Sequence, residues 1–308
     1  MKKFRILIIG GTRFIGRALV GELLLNGHSV TISSRKRLNA LPNLTQITCL
    51  RESLREVLGS FDKFDYVFDF NAYKQEDILD LPKGYPEFNY YLISSQWVSS
   101  YLDHHKVERF TEVEKNYILG KRTLEIAALD RFGTKTRIIR LPVVIGSGDH
   151  HHRLDFLVSR IFKRGSILVP NSNQVIDIAW VDDIVQTIHL SLLGTMEIPN
   201  ISRIGLKDGR TYSDFINEIA DSIERKIEIV DLSAHEQHPD LGEFIKADPF
   251  WREEYLDSGD VFLGDAVHHQ EIPFKIKMKY ICSESVYSEL YELASWEEER
   301  FLNDRYRS

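Results

Sequence analysis

Arg5-Ile6-Leu7-Ile8-Ile9-Gly10-Gly11-Thr12-Arg13-Phe14-Ile15-Gly16 is the stretch on which the reading of this chain turns. Arg5 to Ile9 is a run of leucine and β-branched residues without polar alternation, the pattern of a parallel strand covered on both faces. A glycine turn follows at once. From Phe14 to Asn26, Ile15, Leu19, Leu23 and Leu24 recur at helical spacing until Asn26-Gly27 supplies a stop. Strand, turn and helix in this order bring backbone N–H groups and the positive end of a helix to one point, which suits the pyrophosphate of a dinucleotide. Placement carries the reading, because the same glycines elsewhere would be an ordinary tight turn tolerant of positive φ. Gly10, Gly11, Thr12, Arg13, Phe14, Ile15 and Gly16 are therefore expected cofactor-binding residues.

Outward from this unit the pattern repeats. Strands are predicted near Ser29 to Ser33, Thr45 to Leu50, Tyr66 to Phe70, Tyr90 to Ser94 and Arg137 to Leu141, the last ending at Pro142, with a long helix over Val113 to Phe132. With the first strand these make six, separated by segments long enough for crossovers. That is the pattern of an α/β fold with a doubly wound parallel sheet of Rossmann type. Beyond Gly146 the order loosens. A helix at Leu154 to Lys163, strands at Ser166 to Val169 and Val175 to Trp180, a helix after Asp182, a helical stretch over Arg210 to Ile223 and a final amphipathic helix near Ser285 to Phe301 are expected. Residues 1–150 then form the dinucleotide-binding domain, which also receives part of 175–202, and 151–308 are mainly a smaller, interleaved C-terminal substrate lobe. No internal repeat or linker rich in Pro, Gly or Ser separates them.

The 308 residues, 43% hydrophobic and 28% charged, are ordinary globular values that argue against disorder. The formal charge of −7 comes without a dense basic patch, Arg35-Lys36-Arg37 being the best short run, so nucleic acid is not the expected partner. Cys49 and Cys282 lie far apart in no metal-like spacing, which fits free thiols in a reducing compartment. The opening apolar run is shorter than a signal-peptide core and runs straight into glycines, and no stretch is long and apolar enough to span a bilayer. The expectation is a cytoplasmic protein with a small-molecule substrate and no membrane partner.

The residues after the second strand bear on which dinucleotide is taken. An acid there would bind a ribose 2′-OH, and a cation would favour a 2′-phosphate. Ser33, Ser34 and Arg35 stand at this place: no carboxylate repels phosphate, Arg35 and Lys36 can pair with it, and Ser34 can donate a hydrogen bond. NADP(H) is favoured, with NAD possible; the bland alternative is a pair of solvated loop charges.

Tyr117-Ile118-Leu119-Gly120-Lys121 lies within the long helix, and the i, i+4 spacing sets phenol and ammonium on one face. A nearby ammonium stabilises phenolate and so lets Tyr117 exchange a proton with a substrate oxygen near neutral pH. By itself such a pair is usually a surface contact. Ser94-Ser95, however, ends the fifth strand, at the carboxyl edge where an open parallel sheet delivers residues to its crevice, and a hydroxyl there can bind the same oxygen. A strand-terminal turn serine would look alike in isolation.

Taken together, Gly10 to Gly16, Asp65-Tyr66-Val67-Phe68-Asp69-Phe70-Asn71-Ala72, Ile93-Ser94-Ser95-Gln96-Trp97-Val98, Tyr117 to Lys121 and Arg140-Leu141-Pro142-Val143-Val144-Ile145-Gly146-Ser147-Gly148-Asp149 resemble the extended short-chain dehydrogenase/reductase superfamily, in its NAD-dependent epimerase/dehydratase branch, over roughly Lys3 to Ser202. The resemblance implies Gly10, Gly11 and Gly16 at the pyrophosphate, Asn71 among the cofactor-binding residues, Ser95 aligning the substrate oxygen, and Tyr117 as acid/base. It gives Lys121 two tasks, binding the nicotinamide ribose and tuning Tyr117. It makes Val181-Asp182-Asp183-Ile184 an architectural junction, and implies a homodimer formed through the helix of Tyr117 and its neighbour. Arg13 replaces the family's middle glycine, giving the form of the atypical members related to chloroplast stem-loop-binding proteins; it either clamps a cofactor phosphate or marks altered dinucleotide binding. The acid that touches adenine after the third strand has no match in Cys49-Leu50-Arg51-Glu52.

Sugar dehydratases of this kind carry an Asp-Glu pair after the catalytic hydroxyl, and here Gln96 and Trp97 stand in its place and cannot transfer protons. The leading expectation is an NAD(P)-dependent oxidoreductase that reduces or oxidises a carbonyl or alcohol of a sugar nucleotide or similar small molecule, with a sugar-nucleotide epimerase as alternative. A dinucleotide sensor or RNA-binding relative is the rival of another class, against which Ser95, Tyr117 and Lys121 argue for chemistry. Phe250, Trp251, Tyr255, Phe262 and Phe274 suit either stacking on a substrate or plain lobe core. Arg153 and Arg160 could meet a diphosphate or only solvent. His150-His151-His152 is expected to line the active-site mouth, with no metal, because adjacent imidazoles rarely converge on one ion.

Overall fold

The computed structural model describes residues 2–35, 37, 40–59, 63–81, 88–103, 110–151, 153–164, 166–169, 171–205, 210–231 and 265–267. The first half runs β1 (Arg5–Ile9), α1 (Phe14–Leu25), β2 (Ser29–Ser34), β3 (Leu44–Thr48), α2 (Leu54–Leu58), β4 (Tyr66–Asp69), α3 (Glu76–Leu79), β5 (Asn89–Ser95), α4 (Trp97–Asp103), α5 (Glu112–Phe132) and β6 (Thr136–Leu141). After it come β7 (Val143–Ile145), α6 (Arg153–Arg164), β8 (Ser166–Val169), β9 (Ile178–Trp180), α7 (Val181–Leu192), β10 (Ile201–Ile204), α8 (Tyr212–Ser222), β11 (Glu228–Asp231) and β12 (Asp265–Val267). The chain divides into two compact units, Met1–Val144 with Ile178–Lys207 and Asp260–His269, and Ile145–Asp177 with Asp208–Gly259 and Gln270–Ser308.

The first unit is a doubly wound sheet. Among the described residues eight strands pair in the order β12-β10-β6-β5-β4-β1-β2-β3, all in parallel. The six strands expected from sequence are all there, and β10 and β12 extend the sheet beyond β6. Those two were missed because Ile201–Ile204 and Asp265–Val267 are too short to show a period of their own. The expected strand from Val175 is shorter than predicted. Only Ile178–Trp180 is strand, while Val175 makes an isolated antiparallel bridge to Thr211 within the second unit.

Period-two alternation along β1 divides the core. Ile6 and Ile8 face one side with Leu19, Leu23, Phe68, Tyr91, Ile139, Ile184 and Ile188, where α1 and α7 pack on each other. Leu7 and Ile9 face the other side with Val67, Leu92, Leu124, Ala127, Ala128 and Ile138, where α5 lies. Each fully buried aliphatic side chain is worth about 1.5–3 kcal/mol, which is why β1 carries none of the polar alternation of a half-exposed strand. Helix α5 starts at a capping box: the Thr111 hydroxyl accepts from the Glu114 N–H and the Glu114 carboxylate accepts from the Thr111 N–H.

In the second unit β8 and β11 pair in parallel, Ser166 opposite Glu228 through Val169 opposite Asp231. The Asp231 carboxylate there accepts from both the N–H and the hydroxyl of Ser172. Thr211 and Asp214 form a second capping box at the head of α8. The helix expected at Ser285 to Phe301, the aromatic set from Phe250 to Phe274, and Lys36, His152 and Cys282 lie outside the described residues. No helix among the described residues is long and apolar enough to cross a membrane.

Candidate active site

Register places the expected residues at one edge of the sheet. Ile9 sits opposite Ser33 on one side and Asp69 on the other, Asp69 is opposite Leu92, and β5 runs on to Ser95 opposite Leu141. The carboxyl ends of β1, β2, β4 and β5 thus carry the glycine turn, Ser34, Asn71 and Ser95 to the same edge.

The glycine turn is tight for a steric reason. Gly10 has φ +91°, and a Cβ on it would lie 3.2 Å from the Asn71 Cβ and 3.3 Å from that of Phe70. A Cβ on Gly16 would lie 2.5 Å from the Gly10 carbonyl oxygen, so only glycine lets α1 pack this close to the turn. A Cβ on Gly11 would meet Ile32 at 2.9 Å, so this glycine serves the packing of turn on sheet. Arg13 occupies the N-cap of α1 in extended geometry; its side chain makes no cap hydrogen bond and no acid lies in the first turn. Phe14 is held at φ +33°, sparsely populated backbone for a residue with a side chain. Arg13 is exposed, and Thr12, Phe14 and Ile15 are half-buried. A helix head with no acid in its own first turn, set behind glycines that a Cβ would fill, fits a bound pyrophosphate. At the end of β2, Ser34 is half-buried and Arg35 exposed.

Tyr117 and Lys121 share a face of α5 as their spacing predicts. Lys121 donates from Nζ to the Ile93 carbonyl oxygen at 3.3 Å and stands 5.9 Å from the centre of the Tyr117 ring. Burial lowers its pKa, against the opposing pull of Asp69 and Glu125. The Tyr117 ring is 43% exposed and meets the Trp97 ring edge-on at 6.1 Å. The Trp97 backbone N–H donates to Ser95 Oγ at 3.2 Å. Trp97 therefore joins Ser95 to Tyr117, and β5 joins Ser95 to Lys121 through Ile93. The adjacent hydroxyls separate as alternation requires: Ser94 is buried and donates to Glu125 Oε1 at 2.7 Å, leaving Ser95 as the one beside Trp97.

Sequence reasoning missed a buried charge cluster beneath this edge. Arg51 donates to both oxygens of Asp69, at 3.1 and 2.6 Å, and to the Asp77 carbonyl oxygen at 2.5 Å. Tyr90 donates its hydroxyl to Asp69 at 2.9 Å. Burial works against the charge of Arg51, and the neighbouring Asp69, Tyr90 and Asp77 more than offset it; burial likewise drives the Tyr90 phenol well up. One sequence signal was visible, a carboxylate in the otherwise apolar run Val67-Phe68-Asp69-Phe70. Arg51, in the segment after β3, is turned inward to Asp69 and Asp77. In the second unit the Asp149 carboxylate accepts from the His151 and Arg153 N–H groups and pairs with the Arg153 guanidinium at 2.9 Å, so Arg153, at the first position of α6, is tied to the turn that precedes its helix.

Residues 6–81 match the model of the NAD dependent epimerase/dehydratase family. The chain is 27% identical over 223 residues to chloroplast stem-loop binding protein of 41 kDa b of Arabidopsis thaliana. That alignment covers 64% of this chain and 58% of the relative, so the chain spans little more than half the length of the curated protein it matches. The fold is that of dTDP-glucose 4,6-dehydratase from Bacillus anthracis in complex with NAD, with a TM-score of 0.57 and 19% identity over 74% of this chain and 84% of the other. It is also that of UDP-glucose 4-epimerase from Thermus thermophilus complexed with NAD, with a TM-score of 0.54 and 18% identity over 73% and 85%.

Proposed function

We propose that this chain is an NAD(P)-dependent oxidoreductase acting on a carbonyl or alcohol of a sugar nucleotide or similar small molecule. The observation that carries the reading is the position of Lys121, bonded to the strand that ends in Ser95 and packed against the ring of Tyr117. The N–H groups at the head of α1 and the turn from Gly10 to Gly16 would hold the pyrophosphate of a dinucleotide, with Arg13 at the N-cap and Asn71, which packs against Gly10, among the residues that would bind the cofactor. A bound nicotinamide supplies the hydride or accepts it. Ser95 Oγ orients the substrate oxygen by a hydrogen bond. Tyr117 passes a proton to or from that oxygen, and the Lys121 ammonium makes the phenolate form accessible. Gln96 and Trp97 have no side-chain group that ionises near neutral pH to act as a general acid or base, which supports redox chemistry or epimerisation over loss of water.

NADP(H) is the favoured cofactor of this reading, since Arg35 is exposed beyond Ser34 with no carboxylate from Ser33 to Arg37. Calorimetric titration with NADPH and NADH, run with Arg35→Ala, tests both parts. NADPH preference that collapses in Arg35→Ala, with turnover lost in Tyr117→Phe, supports an exchangeable-cofactor reductase. Preference for NADH, or NAD retained through purification, moves the epimerase reading ahead. Binding of neither overturns the oxidoreductase reading. A second reading, an RNA-binding protein, draws on the likeness to a stem-loop binding protein. Against it stands the net charge of −7, and retention on heparin at moderate salt would favour it.

A further inference from the structure

The Arg51 cluster commits one guanidinium and two carboxylates to a nearly dry position, and the proposed reaction uses none of them. Its geometry shows what it fixes. Asp69, gripped by Arg51, accepts from the Asn71 N–H at 3.0 Å. Asp77 stands 3.7 Å from Arg51 Nε and accepts from the N–H groups of Tyr73 at 2.8 Å and Lys74 at 3.1 Å. Three backbone N–H groups of the loop after β4 are thus tied through two carboxylates to one arginine. What the loop presents is Tyr73, whose side chain packs into no core, being 70% exposed. Its ring centre lies 6.0 Å from Lys121 Nζ, matching the 5.9 Å to Tyr117.

We infer that Tyr73 is a positioning residue for Lys121: the Arg51 clamp on Asp69 and Asp77 holds the loop so that the Tyr73 ring, like that of Tyr117, presents its face to the ammonium. This rests on the reading of Lys121 as the partner of Tyr117. The ammonium is half-buried, and the groups acting on it are the Ile93 carbonyl from β5, Tyr117 and Glu125 from its own helix, Asp69 from the end of β4, and Tyr73. Burial disfavours its charge, and a neutral amine would not stabilise a phenolate. The face of an aromatic ring attracts a cation without supplying a counter-charge that would neutralise it. Tyr73 thereby helps keep Lys121 protonated where its Nζ donates to the Ile93 carbonyl oxygen and meets the Tyr117 ring.

The test is the titration of Lys121 itself, followed by NMR in the 308-residue chain with its lysines carrying 13C-methyl groups from reductive methylation, and with Lys121→Arg assigning the signal. No dinucleotide is added, so the measurement reads the positioning whether or not the oxidoreductase reading survives its own calorimetry. Tyr73→Ala is expected to lower the Lys121 midpoint by about half a pH unit, the size of one exposed cation–π contact. Tyr73→Phe, which keeps the ring face, is expected to hold the wild-type midpoint. An unchanged midpoint in Tyr73→Ala overturns the inference. So does a fall in Tyr73→Phe equal to that in Tyr73→Ala, because it would assign the effect to the hydroxyl.

Discussion

Glu125 of α5 and Arg140 of β6 meet through two hydrogen bonds, Nε to Oε1 at 3.0 Å and Nη2 to Oε2 at 2.7 Å, with both side chains buried. The same carboxylate accepts from Ser94 and from Arg122, and the remaining nitrogen of Arg140 donates to the Ser99 hydroxyl at 2.7 Å. One ion pair thus ties β5, α4, α5 and β6 together directly behind Ser95, Tyr117 and Lys121. Two charges in such a place add little net stability as a pair, yet each is costly to leave alone. Arg140→Met is therefore expected to destabilise the protein by about 3–5 kcal/mol, and the double variant Glu125→Met, Arg140→Met to recover most of that loss. Urea unfolding measures both; a single variant as stable as wild type would show the pair to be dispensable.

Gly16 and Gly120 make a contrasting pair. Alanine at 16 puts a methyl group 2.5 Å from the Gly10 carbonyl oxygen, a backbone atom that cannot yield without moving the turn. The expected outcome is a loss of about 1–3 kcal/mol and at least about a tenfold weaker dinucleotide affinity, since α1 can no longer seat against the turn that the pyrophosphate needs. A Cβ on Gly120 meets nothing within 4 Å, and Gly120→Ala should gain about 0.5–1 kcal/mol by helix propensity. Thermal unfolding and calorimetry on the two variants separate local helix propensity from the close approach that makes the cradle.

At the opposite edge of the sheet a chain of hydrogen bonds sets an acid limit on stability. The Phe4 N–H donates to His28 Nδ1 at 3.2 Å, His28 and His189 meet through their Nε2 atoms at 3.3 Å, and His189 Nδ1 lies 3.2 Å from the Glu22 carboxylate. Neutral tautomers satisfy every one of these contacts. Burial first, then His189 and Lys3, lower the His28 pKa below its usual 6.5. The unfolded chain then takes up a proton at a pH where the folded one does not. Stability is full above pH 6.5 and declines as pH falls from there toward the folded value. His28→Gln can still accept from Phe4 and does not titrate, so its melting temperature should lose less than wild type over this interval; parallel curves would exonerate His28.

Lys121 works in the opposite direction of charge. Its pKa is lowered from 10.5 by burial, so the ammonium costs folding energy throughout the range in which it stays protonated in the folded state. That penalty is relieved as pH rises from the folded value toward 10.5, where the unfolded chain also loses the proton. Lys121→Met should therefore melt higher than wild type at neutral pH, with the advantage shrinking as pH approaches 10.5, while losing turnover. A variant that melts lower at neutral pH would make Lys121 a structural contact instead.

Much of this lies in the sequence itself. The apolar run Arg5 to Ile9, the glycines from Gly10 to Gly16 and the helical spacing of Leu19 and Leu23 determine a strand, turn and helix, because local sterics and side-chain periodicity act over a few residues. The i, i+4 spacing of Tyr117 and Lys121 likewise determines a shared helix face. Tertiary structure alone decided what faces them. Arg51 lies 18 residues before Asp69 and 26 before Asp77, and Lys121 lies 28 after Ile93, so no period links them and only the crossover order of the sheet brings them together. The same holds for Ser94 and Ser95, alike in sequence and assigned to opposite sides by the pleat of β5. A residue's propensity is a property of its neighbours along the chain; the field at Lys121 is a sum over groups that become neighbours only on folding.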